Sequence, residues 1–156
     1  MINVLRRTYD DQVCSIARAL EVVGERWSLL IVRDALLGLR RFEEFQDSLG
    51  IARNVLADRL GRLVSAGVLE RVRYQQRPDR FEYRLTTMGQ QLFIPVLALM
   101  QWGDEHLAGP VGPPRVAQHV GCGGNLRAGQ ICQRCRQPVV AGEVEIVPGP
   151  GLCPAG

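Results

Sequence analysis

Between Arg40 and Leu85 the chain runs RRFEEFQDSLGIARNVLADRLGRLVSAGVLERVRYQQRPDRFEYRL, and few folds accept that order of signals. Phe42, Phe45 and Leu49 recur at helical spacing and Gly50 stops them. After Ile51, Leu56, Leu60, Leu63 and Val64 recur in the same way from about Ala52 to Ala66, and Gly67 stops those. Leu69 to Tyr74 and Phe81 to Leu85 are rich in β-formers, and the QQRPDR between them holds a Pro78-Asp79 pair suited to a turn. Two helices joined through a glycine turn and followed by a hairpin predict a winged helix-turn-helix, in which one helix enters the DNA major groove beside a β-wing.

The flanks extend this to a mainly α, α+β chain. Asp10 and Asp11 can cap a first helix with Val13, Ile16, Ala17, Leu20 and Val23 on one face and Gly24 at its end. A second helix fits Arg26 to Leu37, with Trp27, Leu30, Ile31 and Ala35 inward and Gly38 as its stop. Thr86 and Thr87 can cap a long helix to about Leu107 that carries Leu92, Val96, Leu99 and Trp102, with Pro95 expected to bend it. So many apolar positions on a surface helix call for a partner surface, and with the first helix it forms the expected homodimer interface, anchored by Trp102. GPVGPP then reads as a semi-rigid linker. The expected domains are 1–108 for DNA binding and dimerisation, 109–118 as linker, 119–147 as a small Cys/His tail and 148–156 as a disordered end. No internal repeat is visible.

Charge is informative only locally. The 19 basic and 16 acidic residues leave +3, too little to announce a polyanion partner. From Arg53 to Arg84, however, eight arginines face four acids, and no basic side chain in the chain is lysine. Arginine suits bidentate contacts to phosphate or guanine, although genomic base composition produces the same bias. No run approaches a membrane span, MINVLRRTYDDQ lacks the apolar core of a signal peptide, and the expected location is the cytoplasm.

On the helix from Ala52 to Ala66, Asn54, Ala57, Asp58, Gly61, Arg62 and Ser65 cluster opposite the leucines, with Arg53 in the first turn and Arg59 on a flank. This is the expected recognition helix. Arg53 and Asn54 reach base edges first: arginine matches guanine and asparagine adenine, each good pair discriminating by roughly 1–3 kcal/mol. Asp58 can accept from cytosine or pair with Arg62 four residues on, and the pair is preferred. Gly61 permits close backbone approach or is a tolerated substitution. In the wing, Arg77 and Arg80 sit at a turn, placed for phosphate or the minor groove, while the competing reading pairs Arg80 with Asp79 or Glu82.

His119-x-x-Cys122 and Cys132-x-x-Cys135, separated by nine residues, supply four potential ligands of the kind that hold tetrahedral zinc. So small a tail has almost no core, and a structural zinc would provide its folding energy. Ordinary free thiols, or a redox pair at Cys132 and Cys135, are the other readings. Cys153 falls in the expected disordered end.

Together these motifs resemble the bacterial HxlR-type transcriptional regulators, dimeric winged-helix proteins related in architecture to the MarR group. The resemblance rests on Cys14, Gly24-Glu25-Arg26-Trp27, Arg41-Phe42-Glu43-Glu44-Phe45, Leu56 with Arg59-Leu60, Gly67 to Arg71, Tyr83-Arg84-Leu85-Thr86 with Gly89, and Trp102-Gly103, in family order from Cys14 to Gly103. Glu25-Arg26 departs from the small or basic pair usual there. The resemblance implies a homodimeric, non-enzymatic regulator that binds palindromic operator DNA through Arg53, Asn54, Ala57, Asp58, Arg59, Arg62, Arg77 and Arg80, and that answers a redox or electrophile signal or a small-molecule effector. Cys14 occupies the place of a thiol that some members use to sense oxidants; the competing reading is a small packed residue. Two other classes remain open. A thiol oxidoreductase would use Cys132 and Cys135, but these lie outside any βαβ scaffold, and only His106 and His119 could serve as histidine bases. A protein-interaction module would keep the fold without the DNA contacts.

Overall fold

Glycine and threonine punctuation sets the element order in the computed structural model, which describes residue 9 and residues 13–152. The elements are α1 (Ser15–Val23), α2 (Ser28–Leu36), α3 (Phe42–Leu49), α4 (Arg53–Ser65), β1 (Leu69–Gln76), β2 (Asp79–Leu85), α5 (Thr87–Gln90), α6 (Phe93–His106) and the two-residue strands β3 (Gln130–Ile131) and β4 (Pro138–Val139). Two compact units result, one ending at Phe93 and the other beginning at Ile94. The division falls at the first residue of α6.

In the first unit one apolar stripe from each helix meets the start of the hairpin. Ile31, Val32, Phe45, Leu56, Leu60, Leu63 and Leu69 are almost completely buried, each side chain contributing on the order of 1.5–3 kcal/mol of transfer free energy. Gly50 closes α3 in the left-handed region at φ 60°, which turns the chain into α4. Glu44 accepts from the N–H groups of Arg40 (2.8 Å) and Arg41 (2.9 Å), satisfying donors that the start of α3 leaves free. Those N–H groups, Arg40 first, hold its carboxyl below the ordinary glutamate range.

β1 and β2 pair antiparallel from Leu69 opposite Leu85 to Gln76 opposite Asp79, with an irregularity between Arg73 and Gln75. The strands are longer than the composition predicts, leaving only Arg77-Pro78 at the tip, and Arg80 lies within β2 opposite Gln75. The chain before α3 adds a short third edge: the Tyr83 N–H donates to the Arg40 carbonyl (2.7 Å), and Arg41 bridges to Glu82. Wing and helix-turn-helix are thereby tied together.

Two expectations are corrected. The single long helix from Thr87 to Leu107 is two helices, α5 and α6. Pro95 falls in the first turn of α6, where a missing N–H costs no intrahelical bond, so it starts a helix where a bend was expected. Thr86 does cap α5, its Oγ1 accepting from the Gly89 N–H at 3.1 Å. Of the residues expected on one face of the first helix, Ala17 and Val23 are buried, while Ile16 and Leu20, like Val13 just before α1, are exposed. In α2, Ile31 is buried as expected, joined by Ser28, Val32 and Asp34. Asp10, Asp11 and Cys153 lie outside the described residues.

In the second unit Leu97 is buried and no residue described from 98 to 151 is. The Gln101 side chain nevertheless fastens later backbone to α6, donating to the Leu126 carbonyl (2.7 Å) and accepting from the Ala128 N–H (2.7 Å). The expected irregular end is described as far as Leu152, where Pro150–Leu152 forms a single 3-10 turn.

Candidate nucleic-acid interface

Burial of Leu56, Leu60 and Leu63 turns Asn54, Ala57, Asp58, Gly61, Arg62 and Ser65 outward along α4, and all six are exposed. Arg53 begins the helix, its guanidinium 4.7 Å from the Phe42 ring centroid, so the side chain is held in place at the mouth of the turn. Nothing lies within 4 Å of a Cβ built on Gly61, so no packing inside the chain demands glycine there.

The arginines are not equally free. Arg62 pairs with Asp58 at 3.0 Å, the expected four-residue contact. Arg59 is largely enclosed, its guanidinium ion-paired with Glu25 (3.2 Å) and Asp58 (3.2 Å). From Ala57 onward the outer face of α4 lines a shallow hollow with Glu21 and Val22 of α1, with Asp58, Gly61, Arg62 and Ser65 also in its wall. Among the predicted reading residues, Arg53, Asn54 and Ala57 are the ones that the fold leaves at the front of the helix.

At the wing, Arg77 is exposed and its carbonyl accepts from Gln75 Nε2 (3.0 Å). Neither carboxylate proposed for Arg80 goes to it: Asp79 pairs with Arg73 (3.5 Å) and Glu82 with Arg84 (3.0 Å). Arg80 instead lines a cleft of about 650 Å³ together with Arg41, Arg53 and Arg71. Glu43, Glu44, Asp47 and Asp79 line the same cleft, so its formal charges balance. Arg41 and Arg71 were not among the predicted DNA contacts. Each lies over an aromatic ring, Arg41 5.2 Å from Tyr74 and Arg71 3.6 Å from Phe81. The only available sequence signal was the Arg40-Arg41 pair ahead of α3; the partner rings come from long-range pairing.

Cys14 is the N-cap residue of α1, half-buried and in extended conformation, and its carbonyl accepts from the Arg18 N–H at 3.1 Å.

In the tail, His119 Nδ1 lies 3.3 Å from Cys122 Sγ. The N–H groups of Cys135 and Arg134, and then the Cys135 thiol, push the Cys132 thiol below the ordinary cysteine range. The four predicted ligands thus come together as two pairs. Among the described residues no three His, Cys, Asp or Glu side chains gather closely enough to hold a metal ion.

The backbone around the two pairs repeats itself. The His119 N–H donates to Gly124 (2.9 Å) as the Cys132 N–H does to Gln137 (3.0 Å); Gly123 returns a bond to His119 (2.8 Å) as Arg136 does to Cys132 (2.9 Å). Gly123 and Arg136 both take positive φ, 71° and 62°. Gln118 bridges to Asn125 as Ile131 does to Pro138. The same backbone turn therefore recurs from 118 to 125 and from 131 to 138, without a matching repeat in the sequence. It was illegible because Cys122 and Cys135 are the only identical residues at matching positions of the two segments.

A helix-turn-helix with a β-wing, an outward stripe on its second helix and arginine at the helix start and the wing tip define a DNA-binding transcriptional regulator. The chain belongs to the HxlR-like helix-turn-helix family, whose profile matches residues 22–109. It is 48% identical over 138 residues to the uncharacterized HTH-type transcriptional regulator Rv3095 of Mycobacterium tuberculosis, covering 88% of this chain and 87% of that protein. The crystal structure of PA1607, a candidate transcription factor, superposes with a TM-score of 0.80 at 38% identity, over 88% of this chain and 96% of that one. The redox regulator HypR in its reduced form aligns at 30% identity and a TM-score of 0.56, over 59% of this chain and 92% of its own.

Proposed function

We propose that this protein binds operator DNA as a homodimer and controls transcription by occupying its site, without catalysing a reaction. The observation that carries this reading is the front of α4, where Arg53 is braced on Phe42 and Asn54 and Ala57 stand exposed beside it. Arg53 and Asn54 read base edges, Ala57 admits the helix to the groove, and Arg77 and Arg80 hold phosphate from the wing. Asp58 and Arg62 set the rim of the contact through their mutual pair, and Arg59 positions α4 through Glu25.

The homodimer is supported by apolar side chains left facing outward: Val13, Ile16 and Leu20 on or beside α1, and Ile94, Leu99 and Trp102 on α6. A two-fold dimer places its half-sites about one helical turn apart on a palindromic operator. The working compartment is the cytoplasm, where such DNA is found, and among the described residues no helix is long and apolar enough to cross a membrane.

Selection of bound fragments from genomic DNA, followed by binding measurements on the selected site and on random DNA, tests the reading. Arg53→Ala weakens the selected site by about 1–3 kcal/mol and random DNA much less. Arg77→Ala weakens both and lowers the salt slope by about 1. Equal losses on both DNAs for Arg53→Ala remove its base-reading role, and absence of binding to bulk DNA at low salt refutes the function.

A second reading concerns the signal. Cys14 is partly accessible at a helix start, and the fold matches that of a regulator named for redox control, which supports oxidation of Cys14 as the input. Diamide then changes operator affinity in the parent protein and leaves Cys14→Ala unmoved; equal responses in both discard the reading.

A further inference from the structure

The tail holds its shape without a core. No residue described from 98 to 151 is buried, and its strand pairing is one pair of two-residue strands and one isolated bridge, far below what hairpin pairing sustains in water. Arg136 nevertheless sits at φ 62°, a conformation that costs an L-residue with a full side chain about 1–2 kcal/mol. A cross-link between the two turns would supply the stability that burial does not.

The repeat shows where the cross-link belongs. Both turns present a donor at their first and fourth positions: His119 and Cys122 in one, Cys132 and Cys135 in the other. In both, the hydrogen bonds run back to the first donor residue, and the left-handed residue follows the second. Two such turns, each offering two donors, supply the four positions of a tetrahedral site.

The donor set selects the ion. Three thiols and an imidazole are ligands for zinc, whereas magnesium and calcium need oxygen, and no Asp or Glu occurs from Gly109 to Gly142. Three thiolates on a dication leave a net charge of −1, which suits a segment whose charged residues are Arg115, Arg127, Arg134 and Arg136. We propose that His119, Cys122, Cys132 and Cys135 together bind one zinc ion that joins the two equivalent turns into a single module. The two pairs stand apart in the structure, so coordination draws turn onto turn through the irregular segment 127–129. Ala128 within that segment and Leu126 just before it are held by Gln101, which makes α6 the base on which the module closes.

The test uses the full chain, expressed and purified under reducing conditions without added metal. Elemental analysis is expected to find close to one zinc per chain. Cys122→Ala and Cys135→Ala each lose most of it while the helical circular dichroism of the first unit is retained; Cys14→Ala keeps it, and His119→Cys, which preserves a ligand, keeps it too. Cobalt added to metal-stripped protein produces thiolate-to-cobalt charge-transfer absorption. Less than about a tenth of an equivalent in the parent protein, with no zinc binding tighter than about micromolar in a chelator competition, overturns the proposal. Zinc near one equivalent that survives both Cys122→Ala and Cys135→Ala overturns it equally.

Discussion

The first unit and the tail of this chain reach defined backbones by opposite means. Up to Leu69 the chain orders itself by burying Ile31, Phe45, Leu56, Leu60, Leu63 and Leu69 almost completely. Beyond Leu97 it buries nothing among the described residues, yet it repeats the backbone bonds that open and close a turn. Apolar burial is non-directional and tolerates adjustment, so it orders long helices well. A turn of six residues cannot bury enough surface to offset its entropy, and it depends on directional bonds. Charged residues behave accordingly: in the first unit arginines are braced on rings and carboxylates, whereas in the tail they surround donors and have no acid near them in sequence.

Truncating a core side chain is the largest way to sharpen this contrast. Phe45→Ala should lower the stability of the first unit by about 3–5 kcal/mol in urea unfolding followed by helical circular dichroism. A loss under about 1 kcal/mol would mean that burial is not what holds this unit. Next is Gly89→Ala, because a Cβ there runs into the Val68 carbonyl oxygen and Leu85. We expect about 1–3 kcal/mol, with the winged-helix signal loosening before α6 does.

A smaller effect belongs to the cap of α3. Glu44→Ala should cost about 0.5–1 kcal/mol at neutral pH, since two backbone donors lose their acceptor. The folded-state pKa of Glu44 lies below its unfolded value. Its contribution is therefore complete above the unfolded value, about 4.3, and disappears as pH falls through the lower folded one, so the gap between parent and variant should close only below the ordinary glutamate range. A gap that persists at lower pH would assign the loss to packing. The smallest effect is expected for Ile131→Ala in the tail: with 63% of the residue exposed, the change should stay within about 0.5 kcal/mol. A core-sized loss there would reveal a burial surface that the tail makes in solution.

Much of the first unit was legible because its signals are local. Phe42, Phe45 and Leu49, then Leu56, Leu60 and Leu63, mark helices through a period of 3.6, and Gly50 and Gly67 end them for reasons of backbone geometry. The wing was legible in position and misjudged in length, since polar Gln75 and Gln76 join a ladder whose partner strand supplies the bonds. The long C-terminal helix misled for a related reason: Leu92, Val96 and Leu99 keep helical spacing across a break that Pro95 only restarts. Among the candidate site residues, the outward stripe of α4 could be read from its leucines. The enclosure of Arg59 by Glu25 could not, because it depends on α4 packing beside the segment that joins α1 to α2.

The sequence by itself determined which segments are helical or extended, that α4 has an outward face bearing Arg53, Asn54 and Ala57, and that the tail carries four donors in two pairs. These follow from spacing and side-chain chemistry, which act over a few residues. Only the tertiary structure decided which arginines are free and which are held, that Arg41 and Arg71 share a cleft with Arg53 and Arg80, that α6 goes with the tail, and that the donor pairs sit in equivalent turns. Each of these depends on a partner distant along the chain or on backbone bonds between unlike residues, and no local pattern of side chains encodes such a pairing.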